Sequence, residues 1–539
     1  MKRARTRLTA LAAAAVTTVL LAACGSGAAA GAGSAPSSAG EPTPGGELTV
    51  AVHDYCGAYD KQQTSGCTFT NIQVTDNLTA QDPETGEVLP WLATSWETED
   101  DGRTYVLELL DGVTFSNGEV FDAAAVKANL DAIVELGKQG KSFQAAAYLD
   151  GYEGSEVRDD LTVAVTFDSV KAGFLQALSE APLGIVAPET TKKSADERGA
   201  EGVIGSGPFV LDKLVAHEQI VLTKREDYAW ASPVRKVDGP ALLDKITFQV
   251  VPEQSVRVGA LLGGQADAAS TPSREDIAQV EATGGQIFAR PSAGIVTHLL
   301  PNYADPVLSQ EPVRQAIQHA IDRDELHDVL YDDYNQVPTS ILSSAFPNRK
   351  DHPDALTHDP DLVKQILTDD GWALGEDGIW AKDGQRLSID LQYSDSADKA
   401  RNELIQQQLK ANGIELELKE LTAAEITANE ASGEWSLSAG NLTRPDGDVL
   451  RSIFDPGYAT RNKTEIAPDL TDLLERQSAE LDGEERDTQI DEAAQIILDR
   501  GLAFPVTEFS SIVAASAEVH DIDFTAPYWA IFADAWIEH

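Results

Sequence analysis

Strand-like and helix-like stretches alternate along this chain in two blocks, and that alternation points to α/β lobes. In the first block "GGELTVAV" (45–52) reads as an opening strand. Residues 91–136 read as strand, Asp-Asp-Gly turn, strand, a second turn at Ser116-Asn117-Gly118, and a helix N-capped by Asp122. "LTVAVTFD" (161–168) is a strand, 205–226 a glycine turn feeding two strands, and 245–270 a strand followed by a helix ending at Gly263. The second block opens at 311–331 with a helix that carries Pro312 in its first turn and restarts at Asp322 and Glu325. A helix at 360–368 stopped by Gly371 follows, then a strand at 387–393, a helix through Leu409 and a strand at 414–421. Helices at 469–481 and 484–499 precede a tail of strands. At roughly 490 residues this body exceeds what one core supports, so two or three lobes are expected.

The N-terminus has a different character. Lys2, Arg3, Arg5 and Arg7 precede an apolar stretch from Leu8 to Leu21, too short to span a bilayer as a helix but suited to a secretory leader. It ends on Leu21-Ala22-Ala23-Cys24, which resembles the bacterial lipobox, so residues 1–23 read as a lipoprotein signal peptide with Cys24 as the acylated first mature residue. Acyl chains on that cysteine would hold the chain at the cell membrane. No twin arginine is present, which favours general secretion. The Gly-, Ala-, Ser- and Pro-rich stretch 24–46 cannot bury enough surface to fold and reads as a tether reaching roughly 25 Å.

Beyond the leader the chain carries 37 Lys and Arg against 88 Asp and Glu, a formal charge of −51. Such a surface repels nucleic acid and anionic lipid. With Cys24 lipidated, Cys56 and Cys67 remain as an even pair in a compartment where disulfides persist; a bridge would contribute about 3 kcal/mol, and the alternative is two buried thiols. Glu97, Glu99, Asp101, Gly102 and Glu108 fall on EF-hand calcium-loop spacing, but their flanks read as strands, and an acidic chain generates that spacing by chance. The mature chain has no GxSxG, HExxH, Walker or strand-borne GxGxxG motif, and His352 and His358 have no partner at metal spacing. These absences favour capture over catalysis, with no cofactor and no metal.

Seven blocks, in order, carry a resemblance along nearly the whole mature chain: 89–129 ("LPWLATSWETEDDG…AVKAN"), "GSGPFVLDKL" (205–214), 246–267, "VRQAIQHAIDRDEL" (313–326), "LTDDGW" (367–372), "IQQQLKANGIELEL" (405–418) and 488–506. In these the chain resembles the bacterial extracellular solute-binding proteins of family 5, the dipeptide, oligopeptide and nickel type that serve ABC importers. The resemblance implies a bilobed α/β fold of periplasmic-binding-protein type, with two crossovers, an extra subdomain in the first lobe and the ligand buried between lobes. Lobe one would span 47–292 (subdomain about 85–200) with a return at 513–539, and lobe two 293–512; the crossovers would lie near 291–303 and 505–514. It also implies a monomer that closes on a small solute, a peptide above all, and hands it to a permease and its ATPase. A carboxylate-bearing or metal-chelate solute is the alternative, as is a chemoreceptor or peptide-chaperone module outside transport.

In peptide-binding relatives an aspartate shortly after the glycine of one lobe-two strand pairs with the peptide ammonium. Counting from Gly440, Arg444 occupies that place, with Asp446 and Asp448 just beyond. Facing the cleft, the Arg444 guanidinium would suit a carboxylate; facing Asp446 or Asp448, it would brace a loop. His53, Asp54 and Tyr55 stand where strand ends in α/β lobes usually bind ligand. Asn302, Tyr303, Trp435 and Asn441 are further cleft candidates, each equally readable as packing or turn residues, whereas Trp91 and Trp96 read as core.

Overall fold

The structure, a computed structural model, describes residues 42–538 apart from 54–55, 65–66 and 395–397. The leader, Cys24 and most of the tether lie outside the described residues, as do Asp54 and Tyr55. No helix among the described residues is long and apolar enough to cross a membrane.

Two mixed sheets organise the chain. The first has seven strands, in the order Gln286–Pro291, Ser510–Ala515, Ala268–Ser270, Glu47–Val52, Lys245–Val250, Gln219–Lys224 and Phe209–Val215. Its centre, Glu47–Val52, pairs in parallel on both sides and is buried from Val50 to Val52. That placement suits its near-continuous apolar run. The second sheet has five strands, Glu415–Glu420, Ser388–Tyr393, Leu437–Thr443, Gly294–Pro301 and Phe504–Thr507. Each has its own apolar core, around Phe209, Phe248 and Ala268 in the first and around Leu299, Leu391 and Phe504 in the second.

A third, antiparallel sheet of four strands, Ala93–Glu99, Thr104–Leu109, Thr162–Phe167 and Tyr152–Asp159, shares a core with the helix Ala123–Lys138. Asp122 caps that helix as expected, accepting from the Ala125 amide at 2.8 Å. The calcium-like spacing falls on two strands joined by the short turn Asp100–Gly102, with Glu99 paired to Arg158 at 2.6 Å. The expected restart in 311–331 divides Glu311–Ala320 from Arg323–Leu330, with Asp322 accepting from the Glu325 amide at 2.9 Å. Gly205 and Gly207 form the anticipated turn. A Cβ on Gly205 would lie 1.8 Å from the Val74 carbonyl oxygen, so only glycine lets the two backbones approach this closely.

The chain passes from the first sheet to the second between Pro291 and Gly294, and returns between Thr507 and Ser510. The two passages are tied together, the Ser292 amide donating to the Phe509 carbonyl at 2.8 Å. Gly294 has φ +142°, and a Cβ there would lie 2.3 Å from the Leu442 carbonyl oxygen. The passage therefore packs directly on the end of the strand Leu437–Thr443.

Candidate functional site

Two cavities meet at one side chain, Asn441, exposed near the end of Leu437–Thr443; the larger has residues of both sheets in its wall, and the smaller joins that strand to segments outside the first sheet. The larger, about 490 Å³, is bounded by Gln254 and Thr271 from the first-sheet side and by Tyr331, Arg401 and Gly440 from the second. The smaller, about 220 Å³, is lined by Lys61, Gln144, Glu180, Asn441, Tyr528 and Trp529.

Lys61 reaches the smaller cavity on a short, well-pinned loop. Cys56 and Cys67 are joined in a disulfide across it, with Cα atoms 4.7 Å apart. Within it, Asp60 pairs with Arg198 at 2.9 Å, both about 1% exposed, and Gln62 donates to Asn129 at 2.9 Å. The Lys61 ammonium donates to Gln144 Oε1 at 3.2 Å, and burial lowers its pKa, partly opposed by Glu180. Glu180 is 3% exposed and accepts from Gln176 Nε2 at 2.7 Å. Burial pushes its carboxyl up to about 7, against the Gln176 hydrogen bond and the fields of Arg444 and Lys61.

Directly after Leu437–Thr443 comes a buried network of charge. Asp446 accepts two hydrogen bonds from Arg486, at 2.8 and 2.9 Å, and one from the Asp448 amide at 2.9 Å. Asp448 accepts from Arg451 at 2.7 Å and from Arg444 at 3.3 Å. Arg444 also stands 4.8 Å over the ring of Tyr148, a residue of the four-stranded subdomain's core, so it bridges the two halves. Burial pushes the Asp446 carboxyl up, but Arg486 and Arg444 outweigh it and hold it far below the ordinary carboxylate range.

The residues singled out in the sequence lie in different surroundings. Asn441 lines both cavities. Arg444, Asp446 and Asp448 line neither and are engaged with one another and with Arg486, Arg451 and Tyr148; this is a brace, though a buried one rather than a surface loop. Asn302, Tyr303 and Trp435 are packing residues. Asn302 Nδ2 donates to the Trp435 carbonyl at 2.8 Å, the Tyr303 hydroxyl to the Leu502 carbonyl at 2.8 Å, and Trp435 is 4% exposed in an apolar cluster. They sit at the opposite end of the strand pair from the cavities, where only burial of apolar rings and satisfaction of backbone carbonyls is at stake. His53 is half-buried just past Glu47–Val52 and lines neither cavity. Trp91 packs half-buried against the subdomain core, its indole donating to the Trp230 carbonyl at 2.9 Å, and Trp96 packs against the same core.

Lys61, Glu180, Tyr528 and Trp529 were not singled out. Lys61 had one available signal, as the lone basic residue inside a loop bounded by two cysteines; Glu180 had none among 88 acidic residues.

Two sheets joined by two adjacent passages, with a cavity walled by both, suit a receptor that captures a small molecule. Residues 87–461 match the bacterial extracellular solute-binding proteins, family 5 Middle, and the chain belongs to that family, whose members bind solutes for ABC importers. It is 26% identical over 462 residues to the nickel-binding periplasmic protein of Escherichia coli, covering 81% of this chain and 84% of that protein. It is 26% identical over 356 residues to the glutathione-binding protein GsiB of the same species, covering 65% of this chain and 64% of that one. Its fold matches NikA from Brucella suis in complex with Fe(III)-EDTA, with TM-score 0.80, 23% identity and coverage of 92% and 100%. It also matches DppA from Helicobacter pylori in complex with the peptide STSA, with TM-score 0.72, 22% identity and coverage of 92% and 99%.

Proposed function

We propose that this chain is the lipid-anchored receptor of an ABC importer, monomeric and non-catalytic, that closes on a peptide or similar small polar solute and presents it to the permease. The lobes would be 47–292 with the returning tail, and 293–512, moving about the paired passages at 291–294 and 507–510. The observation that carries this reading is the pair of cavities meeting at Asn441, the larger of them walled by residues from both sheets. Contacts to both walls exist only in the closed form, so solute shifts the population toward it. Cys24 would hold the receptor beside its transporter, with 24–46 as the tether.

Engagement of Arg444 by Asp448 and Tyr148 leaves no guanidinium in the smaller cavity, which favours a peptide-like solute over a purely anionic one. A metal chelate is the second reading, favoured by the extent of similarity to the nickel-binding relative. Native mass spectrometry of the protein purified from its own host tests both. A retained peptide supports the first reading, a retained metal complex the second, and a cleaved product would overturn the receptor assignment. For the anchor, Cys24→Ala should release the protein into the medium; retention at the membrane would refute it.

A further inference from the structure

The smaller cavity holds a buried carboxyl and a half-buried ammonium that do not meet. Lys61 and Glu180 both line it, yet among the described residues they form no ion pair with each other: Lys61 donates to Gln144, and Glu180 accepts from Gln176. Arg444 is close enough for its field to act on Glu180 but makes no ion pair with it, its own pairs going to Asp448 and Asp446. Burying a charge without a partner is costly, and the cost falls when a partner of opposite sign arrives.

Neither group is free to relax toward the other. Lys61 is fixed by the disulfide loop and its buried neighbours Asp60 and Gln62. Glu180 is fixed by Gln176 and by its own backbone carbonyl, which accepts from Asn77 Nδ2 at 2.8 Å. The remaining wall is aromatic. Tyr528 and Trp529 lie with ring centroids 4.3 Å apart, and Tyr528 has φ +150°, a conformation rare outside glycine that persists only where the surroundings enforce it. Aromatic faces beside a carboxylate favour an ammonium. The carboxylates that follow Leu437–Thr443 are already occupied, Asp446 by Arg486 and Asp448 by Arg451, so that side contributes the neutral Asn441 instead.

We propose that this cavity is a two-ended charge clamp for a small zwitterion of amino-acid to dipeptide size, with Glu180 taking the solute's ammonium and Lys61 its carboxylate. The assignment rests on the solute-receptor reading and goes further: the ammonium is received from the first-lobe side of the cleft, across from the loop that follows Leu437–Thr443.

The test is a tryptophan-fluorescence titration of the mature chain with a mixture of unblocked Gly, Ala, Leu and Phe dipeptides. The same mixture N-acetylated, the same mixture C-amidated, and nickel(II)–histidine are run in parallel. Unblocked dipeptides should bind, with either blocking group weakening binding at least about tenfold. Glu180→Gln should bind free and N-acetylated forms alike, and Lys61→Met free and amidated forms alike; thermal melts verify that both variants fold. Wild type indifferent to blocking, or Glu180→Gln still preferring the free amine, overturns the clamp. If only nickel(II)–histidine binds, the clamp falls and the receptor reading stands. If no probe binds and protein from its own host carries no small molecule, both fall.

Discussion

Removing the Asp446 carboxylate alone should destabilise the protein more than removing it together with its partner. Asp446 is 6% exposed and accepts both hydrogen bonds of the Arg486 fork while facing Arg444 at 3.7 Å. Asp446→Asn leaves two buried guanidiniums short of a counter-charge, and breaking a buried pair from one side costs about 3–5 kcal/mol. Unfolding entropy near 2.1 cal/mol/K per residue gives a body of roughly 490 residues about 1 kcal/mol/K, so the midpoint should fall by about 3–5 °C. Replacing both partners with apolar groups of similar volume, Asp446→Leu with Arg486→Met, removes the desolvation cost along with the attraction and should return the protein to within about 1–2 kcal/mol of wild type. Because its carboxyl is held well below the ordinary range, Asp446 stays ionised in the folded protein as pH falls through the ordinary carboxylate range. Its contribution is complete above the unfolded-state value, is lost progressively as pH falls from there through the depressed folded value, and should be flat from pH 5 to 9. Scanning calorimetry of wild type, Asp446→Asn, Asp446→Leu, Arg486→Met and the double variant at pH 7, repeated at pH 5, provides the measurement. A single variant that costs less than about 1 kcal/mol, or a double that costs the sum of its singles, would refute a coupled buried pair.

Elements with buried faces were legible because burial imposes a pattern. The opening strand, Asp122 at its helix start and the restart at Asp322 each answer to local rules of alternation and capping. Tyr152–Asp159 escaped because it is a mostly exposed edge strand, bulged near Gly154, with no apolar alternation to read. The helices Arg274–Ala282 and Ala423–Ser432 escaped for a related reason: both are acidic surface helices, the second with no buried residue. The site was less legible than the fold. Asn441 could be placed because it lies on a strand with a recognisable neighbour, Gly440. Lys61, Glu180 and Trp529 come from three distant parts of the chain, and tertiary packing alone brings them to one void. Arg444 shows the converse: sequence spacing offered it to the ligand, while Asp448 and Tyr148 hold it as a brace.

Arg444→Ala should weaken solute binding without abolishing it, since it removes a bridge to Tyr148 that exists only with the halves together; calorimetric loss of all binding would instead make Arg444 a ligand. Serine at both Cys56 and Cys67 should loosen the Lys61 loop by up to about 3 kcal/mol and weaken binding, with the fold kept by the Asp60–Arg198 pair and the sheets; unchanged affinity would show that the disulfide does not position Lys61. The pH response of Glu180 separates stability from binding. With its folded carboxyl raised to about 7 by burial, its contribution to the stability of the empty protein is present below the ordinary carboxylate value and lost as pH rises through about 7. Binding of an ammonium needs the ionised form, so affinity should rise about fivefold from pH 6 to pH 7, below the range in which a peptide amine loses its proton, while the empty protein becomes less stable. The groups acting on Glu180 are Lys61, Arg444, Asp446 and the Gln176 amide, with Tyr148 beside Arg444; of these Lys61 alone has its pKa drawn downward toward that window. Loss of protons from Lys61 would oppose the rise, so a gain that disappears in Glu180→Gln assigns the effect to Glu180, and a gain that survives the substitution assigns it elsewhere.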